Sequence, residues 1–212
     1  MSGSFNLSWG DILLCAAMGY LLGSIPFGVL ITQLAGLGDL RKIGSGNIGA
    51  TNVLRTGKKW AAVLTLLFDA GKGAGAVLIG QHFWGAEGAM IPEGAMIAGT
   101  AAMLGHIFPV WLRFKGGKGV ASYMGVLLGL FWPVGLLAIA TWLLIAWLFR
   151  FSSLSALVAA ALAPAYTIAF GNLTLALLTM VLTIIIFLTH HDNIYRLWHR
   201  REPRIGAGKN GV

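Results

Sequence analysis

VASYMGVLLGLFWPVGLLAIATWLLIAWLF, residues Val120–Phe149, decides how often this chain crosses a membrane. Divided into Val120–Phe131 and Val134–Phe149, it crosses twice; read as one long helix through Pro133, it crosses once. The local pattern does not choose. The first part is short, because about 12 helical residues rise only about 18 Å against a hydrocarbon core of about 30 Å. Charges outside the stretch do choose.

Five further apolar segments surround it: Ile12–Leu34, Trp60–Ile79, Ala95–Leu112, Leu154–Phe170 and Leu173–Thr189. Of the 15 Lys and Arg residues, only Lys72 lies inside a segment. Arg41, Lys42, Arg55, Lys58 and Lys59 follow the first segment, and Arg113, Lys115 and Lys118 follow the third. Arg150 follows Phe149, and Arg196, Arg200, Arg201, Arg204 and Lys209 form the tail. Seven crossings put all of these on one face; six move Arg150 and the tail cations to the other. Lys and Arg gather in cytoplasmic loops, so seven crossings are expected, with the N-terminus outside and the C-terminus in the cytoplasm. The loop between the second and third segments carries Glu87 and Glu93 without Lys or Arg, which suits the outer face. The expected fold class is therefore all-α: a polytopic membrane helix bundle of seven transmembrane helices. It forms one domain, 1–212, with a polar, poorly ordered tail from about residue 202.

Composition agrees. Of 212 residues 57% are hydrophobic and 10% charged, with a mean hydropathy of +0.79, so no polar stretch could build a separate soluble domain. The net charge of +8 would raise nucleic acid as a partner for a soluble protein; beside apolar segments it reads as membrane orientation, and no nucleic acid is expected. Cys15 is the one cysteine, leaving no internal disulfide and no cysteine metal site. The first segment exceeds a signal-peptide core and reads as a retained helix.

Seven crossings bring four polar elements to one face: GSGNIGATNVLR (44–55), RFKGGKGVAS (113–122), RFSSLS (150–155) and HHDNIYRLWHRR (190–201). In the first, Gly44, Gly46 and Gly49 let backbone N–H groups converge on an anion. Ser45, Asn47, Thr51 and Asn52 add polar side chains, and Arg55 adds a planar fork suited to phosphate. In the second, Lys115, Gly116, Gly117, Lys118 and Gly119 lead into a helix. The spacing is not that of a nucleotide P-loop, but a helix N-terminus attracts phosphate, and a cation there implies a bound anion that offsets its repulsion. In the last, His190 and Asn193 share a helix face while His191 and Asp192 point elsewhere. His190 can bind phosphate or take a hydroxyl proton near neutral pH. Ser152 and Ser153 both offer a hydroxyl.

Other features read more plainly. Asp69 and Lys72 in FDAGKG lie one turn apart inside a segment and read first as a self-neutralising structural pair. His106 in GHIFPV stands close enough to support the site. GSIPFG (23–28) reads as a kink whose freed backbone groups line a cavity. HExxH is absent, as is the HxxxxD arrangement of many glycerolipid acyltransferases, and no carboxylate cluster suggests magnesium chemistry. No metal or cofactor is expected. A transporter of anions would place its polar groups deep in several helices rather than at one surface.

The strings GSIPFG, GSGNIGATNVLR, FDAGKG, GHIFPVWLRFKGGKGVA, SSLSA and HHDNIYRLW, in this order over almost the whole chain, closely resemble the acyl-phosphate-dependent glycerol-3-phosphate acyltransferases of bacterial membranes. The resemblance implies transfer of an acyl group from acyl phosphate to the 1-hydroxyl of glycerol 3-phosphate. The products are lysophosphatidic acid and inorganic phosphate, in the first step of phospholipid synthesis. It implies a multi-pass protein of the bacterial inner membrane, working among membrane lipid from the cytoplasmic side without an obligate protein partner. By motif match, Ser45, Arg55, Lys118, Ser153, His190 and Asn193 handle substrate. Lys118, His190, Asn193 and Ser45 are the expected catalytic group. Gly46, Asn47, Gly49, Thr51, Asn52, Arg55, Lys115, Gly116, Gly117, Gly119 and Ser153 are the expected binding group.

Overall fold

A computed structural model describes residues 7–85 and 91–206, so Glu87 and Lys209 lie outside the described residues. The described residues form helices and connecting turns. These are α1 (Trp9–Ser24), α2 (Phe27–Leu34), α3 (Ala50–Leu54), α4 (Lys59–Trp84), α5 (Glu93–Ile107), α6 (Val120–Phe149), α7 (Ser152–Ala169), α8 (Leu173–Thr189) and α9 (His191–Trp198). Five stretches have the length and apolar character to cross a membrane: Trp9–Leu34, Lys59–Trp84, Glu93–Leu112, Val120–Phe149 and Ser152–Ala169. A sixth arises if α8 is taken together with α9, to which it is joined at a bend of 64°. Leu13, Leu14, Leu66, Leu67, Leu144, Trp147, Ile184 and Leu188 face outward, as lipid-facing residues of a membrane bundle do.

Helix starts and stops follow local chemistry. Ser8 caps α1 by accepting from the Asp11 N–H at 3.1 Å. Pro26 has no N–H to continue the ladder, so α1 ends at Ser24 and α2 restarts at Phe27. Packing rests on small residues that let backbones touch. α1 lies along α5, with Gly19 and Gly23 against the backbone of Ala98 and Ala102. α4 lies along α6, with Gly125 against the backbone of Ala70. α7 then packs on α6, and α8 on α7.

The decisive stretch is one helical run with a break. Phe131 has extended backbone angles, φ −157° and ψ 91°. Beyond it the backbone of Gly135 lies against that of Leu128, although seven residues of unbroken helix would separate them by about 10 Å. The two arms of α6 therefore fold back on each other, and both ends return to the same end of the bundle. Pro133, just past the break, lacks the N–H that a continuous helix would need.

One short helix, α3, was not expected from sequence, and the helix implied by the shared face of His190 and Asn193 starts only after a bend. GSGNIGATN is not a structureless loop, since its second half winds into α3. α9 begins at His191, directly after the α8 bend. A side chain at Gly23 would run into the Ala102 backbone, so Gly23→Val should destabilise the bundle by about 1–3 kcal/mol through overpacking. A lower Tm in detergent checks this; an unchanged Tm would mean that α1 and α5 can separate without loss.

Candidate functional site

All four polar elements meet at the end of the bundle where α6 starts and finishes. The first is braced internally by Asn52. Its side-chain N–H groups donate to the carbonyls of Leu40 (3.1 Å), Ile43 (2.9 Å) and Asn47 (2.8 Å), and its oxygen accepts from the Ser45 N–H at 3.2 Å. Asn52 is buried and fully engaged, so it shapes the loop rather than offering itself to a ligand. The Asn47 side chain accepts from the Gly49 N–H at 2.9 Å, in a tight turn that leads into α3. Gly44 has φ +53°, and a side chain there would collide with Asn52 and Arg55, so glycine keeps Arg55 close to the loop. Ser45, Thr51 and Arg55 are exposed.

The KGGKG element is held from below. The N–H groups of Gly116 and Gly117 donate to the carbonyls of Ile107 and His106 at the end of α5, both at 3.0 Å. Gly119, with φ +84°, is the N-cap of α6. Lys118 thus stands just before a helix N-terminus, as the sequence implied, while Lys115 is exposed.

A chain of side-chain contacts links these elements. Lys118 Nζ donates to Asn193 Oδ1. The Asn193 amide donates to Glu202 Oε1 at 2.5 Å, Ser153 Oγ donates to the same oxygen at 2.6 Å, and Arg196 Nε donates to Glu202 Oε2 at 2.7 Å. Thr51 and Ser152 bring their hydroxyls within 3.1 Å, joining the first loop to the start of α7. The structure therefore brings together Thr51, Lys118, Ser153 and Asn193. Of the two serines, Ser153 reaches Glu202 while Ser152 meets Thr51.

Arg196 and Glu202 are the residues that sequence reasoning missed. Arg196 lies one turn beyond Asn193, and that spacing could have revealed it. Glu202 had no such signal, because it was placed in a poorly ordered tail. The structure corrects that expectation for the tail's first part. The Ile205 N–H donates to the Arg150 carbonyl at 2.6 Å, Arg150 donates back to the Ile205 carbonyl at 3.2 Å, and Arg204 stacks over Phe151. This strap carries Glu202 into the site. Beside it lies a cavity of about 330 Å³ lined by Phe151, Leu197, Arg200, Glu202 and Arg204.

The electrostatics of the site favour an anion. Burial, together with Arg196 and Arg55, pushes the Lys118 ammonium below its ordinary value, against the opposing pull of Glu202 and Asp192. Burial alone would raise the Glu202 carboxyl, but the bonds from Ser153, Asn193 and Arg196 outweigh it and hold Glu202 ionised. One carboxylate thus answers several cations, and a bound phosphate would relieve what remains.

His190 sits at the bend between α8 and α9, only 3% exposed, whereas His191 and Asp192 are open to solvent. Its Nδ1 lies 2.8 Å from the Ile186 carbonyl. A carbonyl only accepts, so the network assigns the proton to Nδ1 and leaves the Nε2 lone pair available. Burial pushes the imidazole down to about 4, with nearby Lys118 adding to the effect and the Ile186 bond and Glu202 opposing it.

Comparison with known proteins gives a consistent picture. The family model described as Glycerol-3-phosphate acyltransferase matches residues 13–200. The glycerol-3-phosphate acyltransferase of Rhodopseudomonas palustris (strain BisB5) is 56% identical over 200 residues, covering 94% of this chain and 99% of its own. That of Mesorhizobium japonicum is 56% identical over 196 residues, covering 92% and 97%. Among solved structures, PlsY (YgiH), an integral membrane glycerol 3-phosphate acyltransferase in its glycerol 3-phosphate form, superposes with a TM-score of 0.85 at 37% identity, covering 93% of this chain and 96% of that one. Its lysophosphatidic acid form superposes with a TM-score of 0.84 at 35% identity.

The depressed value of His190 has a consequence for stability. Between the ordinary 6.5 and about 4 the unfolded chain takes up a proton that the folded chain refuses. Folded stability is therefore full above pH 6.5 and falls as pH drops toward about 4, by at most about 1.4 kcal/mol per pH unit. His190→Gln should flatten that part of the profile of Tm against pH, leaving the further loss from Glu202 below its ordinary 4.5. An unaltered slope in the variant would contradict this assignment.

Proposed function

We propose, from the premise that this chain belongs to the glycerol-3-phosphate acyltransferase family, that its acyl donor is acyl phosphate and its acceptor the 1-hydroxyl of glycerol 3-phosphate. The products are lysophosphatidic acid and inorganic phosphate, in the first step of phospholipid synthesis. The observation that carries this reading is the meeting of Lys118, Arg55 and Arg196 beside His190 at one end of an apolar bundle. Both substrates bear phosphate and repel each other, and clustered cations with backbone N–H groups offset that repulsion. The acyl chain is apolar and the acceptor is water-soluble, so a site at the membrane boundary serves both. An apolar groove of about 200 Å³ lined by Ile31, Leu34, Ala35, Trp60 and Leu64 lies on the lipid-facing side.

In this reading the two arms of α6 are two of seven membrane passages, with the N-terminus outside and the site facing the cytoplasm of a bacterial inner membrane. The break at Phe131 and the one-sided placement of Lys and Arg favour it. Lys118, His190 and Ser45 act on the reacting groups with Asn193 orienting Lys118, and the two glycine loops with Arg55 hold phosphate, joined by Ser153 when its hydroxyl turns from Glu202 to the ligand. The reaction is a single displacement. The acceptor hydroxyl attacks the acyl carbonyl, an ester bond forms, and the bond from the acyl carbon to the phosphate oxygen breaks. Phosphate leaves readily, so no acyl-enzyme is required. Lys118 and loop N–H groups stabilise the developing oxygen charge. His190 Nε2 accepts the hydroxyl proton once bound phosphate has raised its basicity; a substrate phosphate is the alternative acceptor, with His190 then only positioning. No cofactor or obligate protein partner takes part.

Purified protein given labelled glycerol 3-phosphate should form lysophosphatidic acid with acyl phosphate and none with acyl-CoA; the reverse result would overturn the donor assignment. Lys118→Ala should lower kcat/KM by about 10²–10³-fold. His190→Gln with near-normal kcat would remove the proton from His190 and give it to a substrate phosphate.

A further inference from the structure

Beneath the KGGKG loop lies a buried polar cluster that the proposed chemistry leaves unused. Asp69 and Lys72 on α4 form an ion pair at 2.8 Å, each side chain 1% exposed. Lys72 also donates to the Ile25 carbonyl at 2.8 Å, at the break between α1 and α2, where the same carbonyl accepts from the Phe27 N–H at 3.1 Å. Ser122, in the first turn of α6, donates to the Asp69 carbonyl at 2.9 Å. Lys72 is thus buried and turned toward Asp69 and the Ile25 carbonyl, away from the four polar elements. What the cluster holds is His106. Its Nδ1 faces Asp69 Oδ1 at 3.5 Å, a polar contact longer than a good hydrogen bond.

The opposite edge of the imidazole supports the loop. The Gly117 backbone lies directly on it, so close that a Cβ at Gly117 would overlap His106 Nε2. The Gly117 N–H is tied to the His106 carbonyl at 3.0 Å as well, and the next residue is Lys118. The loop is therefore fixed at one residue by both the backbone and the ring of His106.

We propose that His106, fixed by the buried Asp69–Lys72 pair, is a positioning residue whose ring sets the height and tilt of the KGGKG loop and so the reach of Lys118 toward substrate phosphate. This deepens the acyl-transfer reading and rests on it. His106 touches no reacting atom; it acts through the loop. A displacement of about 1 Å in a positioned group can lower activity by about 10²-fold, so a ring-sized gap beneath this loop would be felt in binding.

The test is a double-mutant cycle between His106→Ala and Gly117→Ala in purified full-length protein. His106→Ala should raise KM for at least one of the two phosphate substrates on the order of ten-fold or more, with kcat per folded enzyme changed less than KM. Gly117→Ala should be strongly damaging in the native background and add less than about three-fold on top of His106→Ala, where its methyl has room. His106→Asn places an amide nitrogen near the Nδ1 position and leaves the upper space empty. It serves in the cycle if the alanine variant does not fold, with the same expected rise in KM. Unchanged KM for both substrates, or an equal penalty from Gly117→Ala in both backgrounds, would overturn the proposal. Absence of turnover by wild type with acyl phosphate would instead sink the donor assignment. The cycle would then be read in the dissociation constants of glycerol 3-phosphate and inorganic phosphate.

Discussion

Lys118 and Ser153 lie on either side of a 30-residue helical run, yet Asn193 and Glu202 join them through three hydrogen bonds. A straight helix of that length would hold its ends about 45 Å apart, more than the thickness of a hydrocarbon core. The reversal at Phe131 removes the contradiction and is the constraint on which the site depends. With it, the start of α6, the start of α7 and the bend after α8 share one end of the bundle. Without it, the KGGKG loop and Ser153 would be separated by the whole bilayer.

The electrostatic design follows from that convergence. Lys118, Arg55 and Arg196 crowd a region where, among the described residues, Glu202 and Asp192 oppose them. Such an arrangement of cations would be relieved by a bound anion. Glu202 ties α7 to α9, because it accepts from three donors on these two helices: Ser153 on α7, and Asn193 and Arg196 on α9. Lower down, Asp69, Lys72 and His106 lie between the break in the first helix and the backbone of the KGGKG loop. The same buried ion pair that looks self-contained in sequence is in contact, through His106, with the residue next to Lys118.

Much of this was legible in the residues. Long apolar runs place the spanning helices to within a few positions, because burial in lipid requires continuous apolar length. The glycines, amides and basic residues of the polar loops mark the segments that gather at one end of the bundle, because polar groups of this density are costly inside an apolar bundle. What escaped is tertiary. α3 is too short to show a period, and α9 follows a bend set by packing. Asn52 reads as a ligand donor until its three carbonyl partners are seen. Glu202 sits among glycine, proline and arginine, and nothing local shows that the strap turns back to pair with Arg150. Phe131 is one of many aromatic residues, and Pro133, two residues on, left open whether one long helix ran through it, so only the charges outside the stretch chose.

The central claim is that both ends of α6 open on the same side of the membrane. Single cysteines at Lys115 and at Arg201, introduced with Cys15 replaced by Ser, can be treated in sealed inverted vesicles with a membrane-impermeant thiol reagent. The account predicts that both are labelled in inverted vesicles and neither in right-side-out ones. Labelling of the two positions from opposite sides would contradict it.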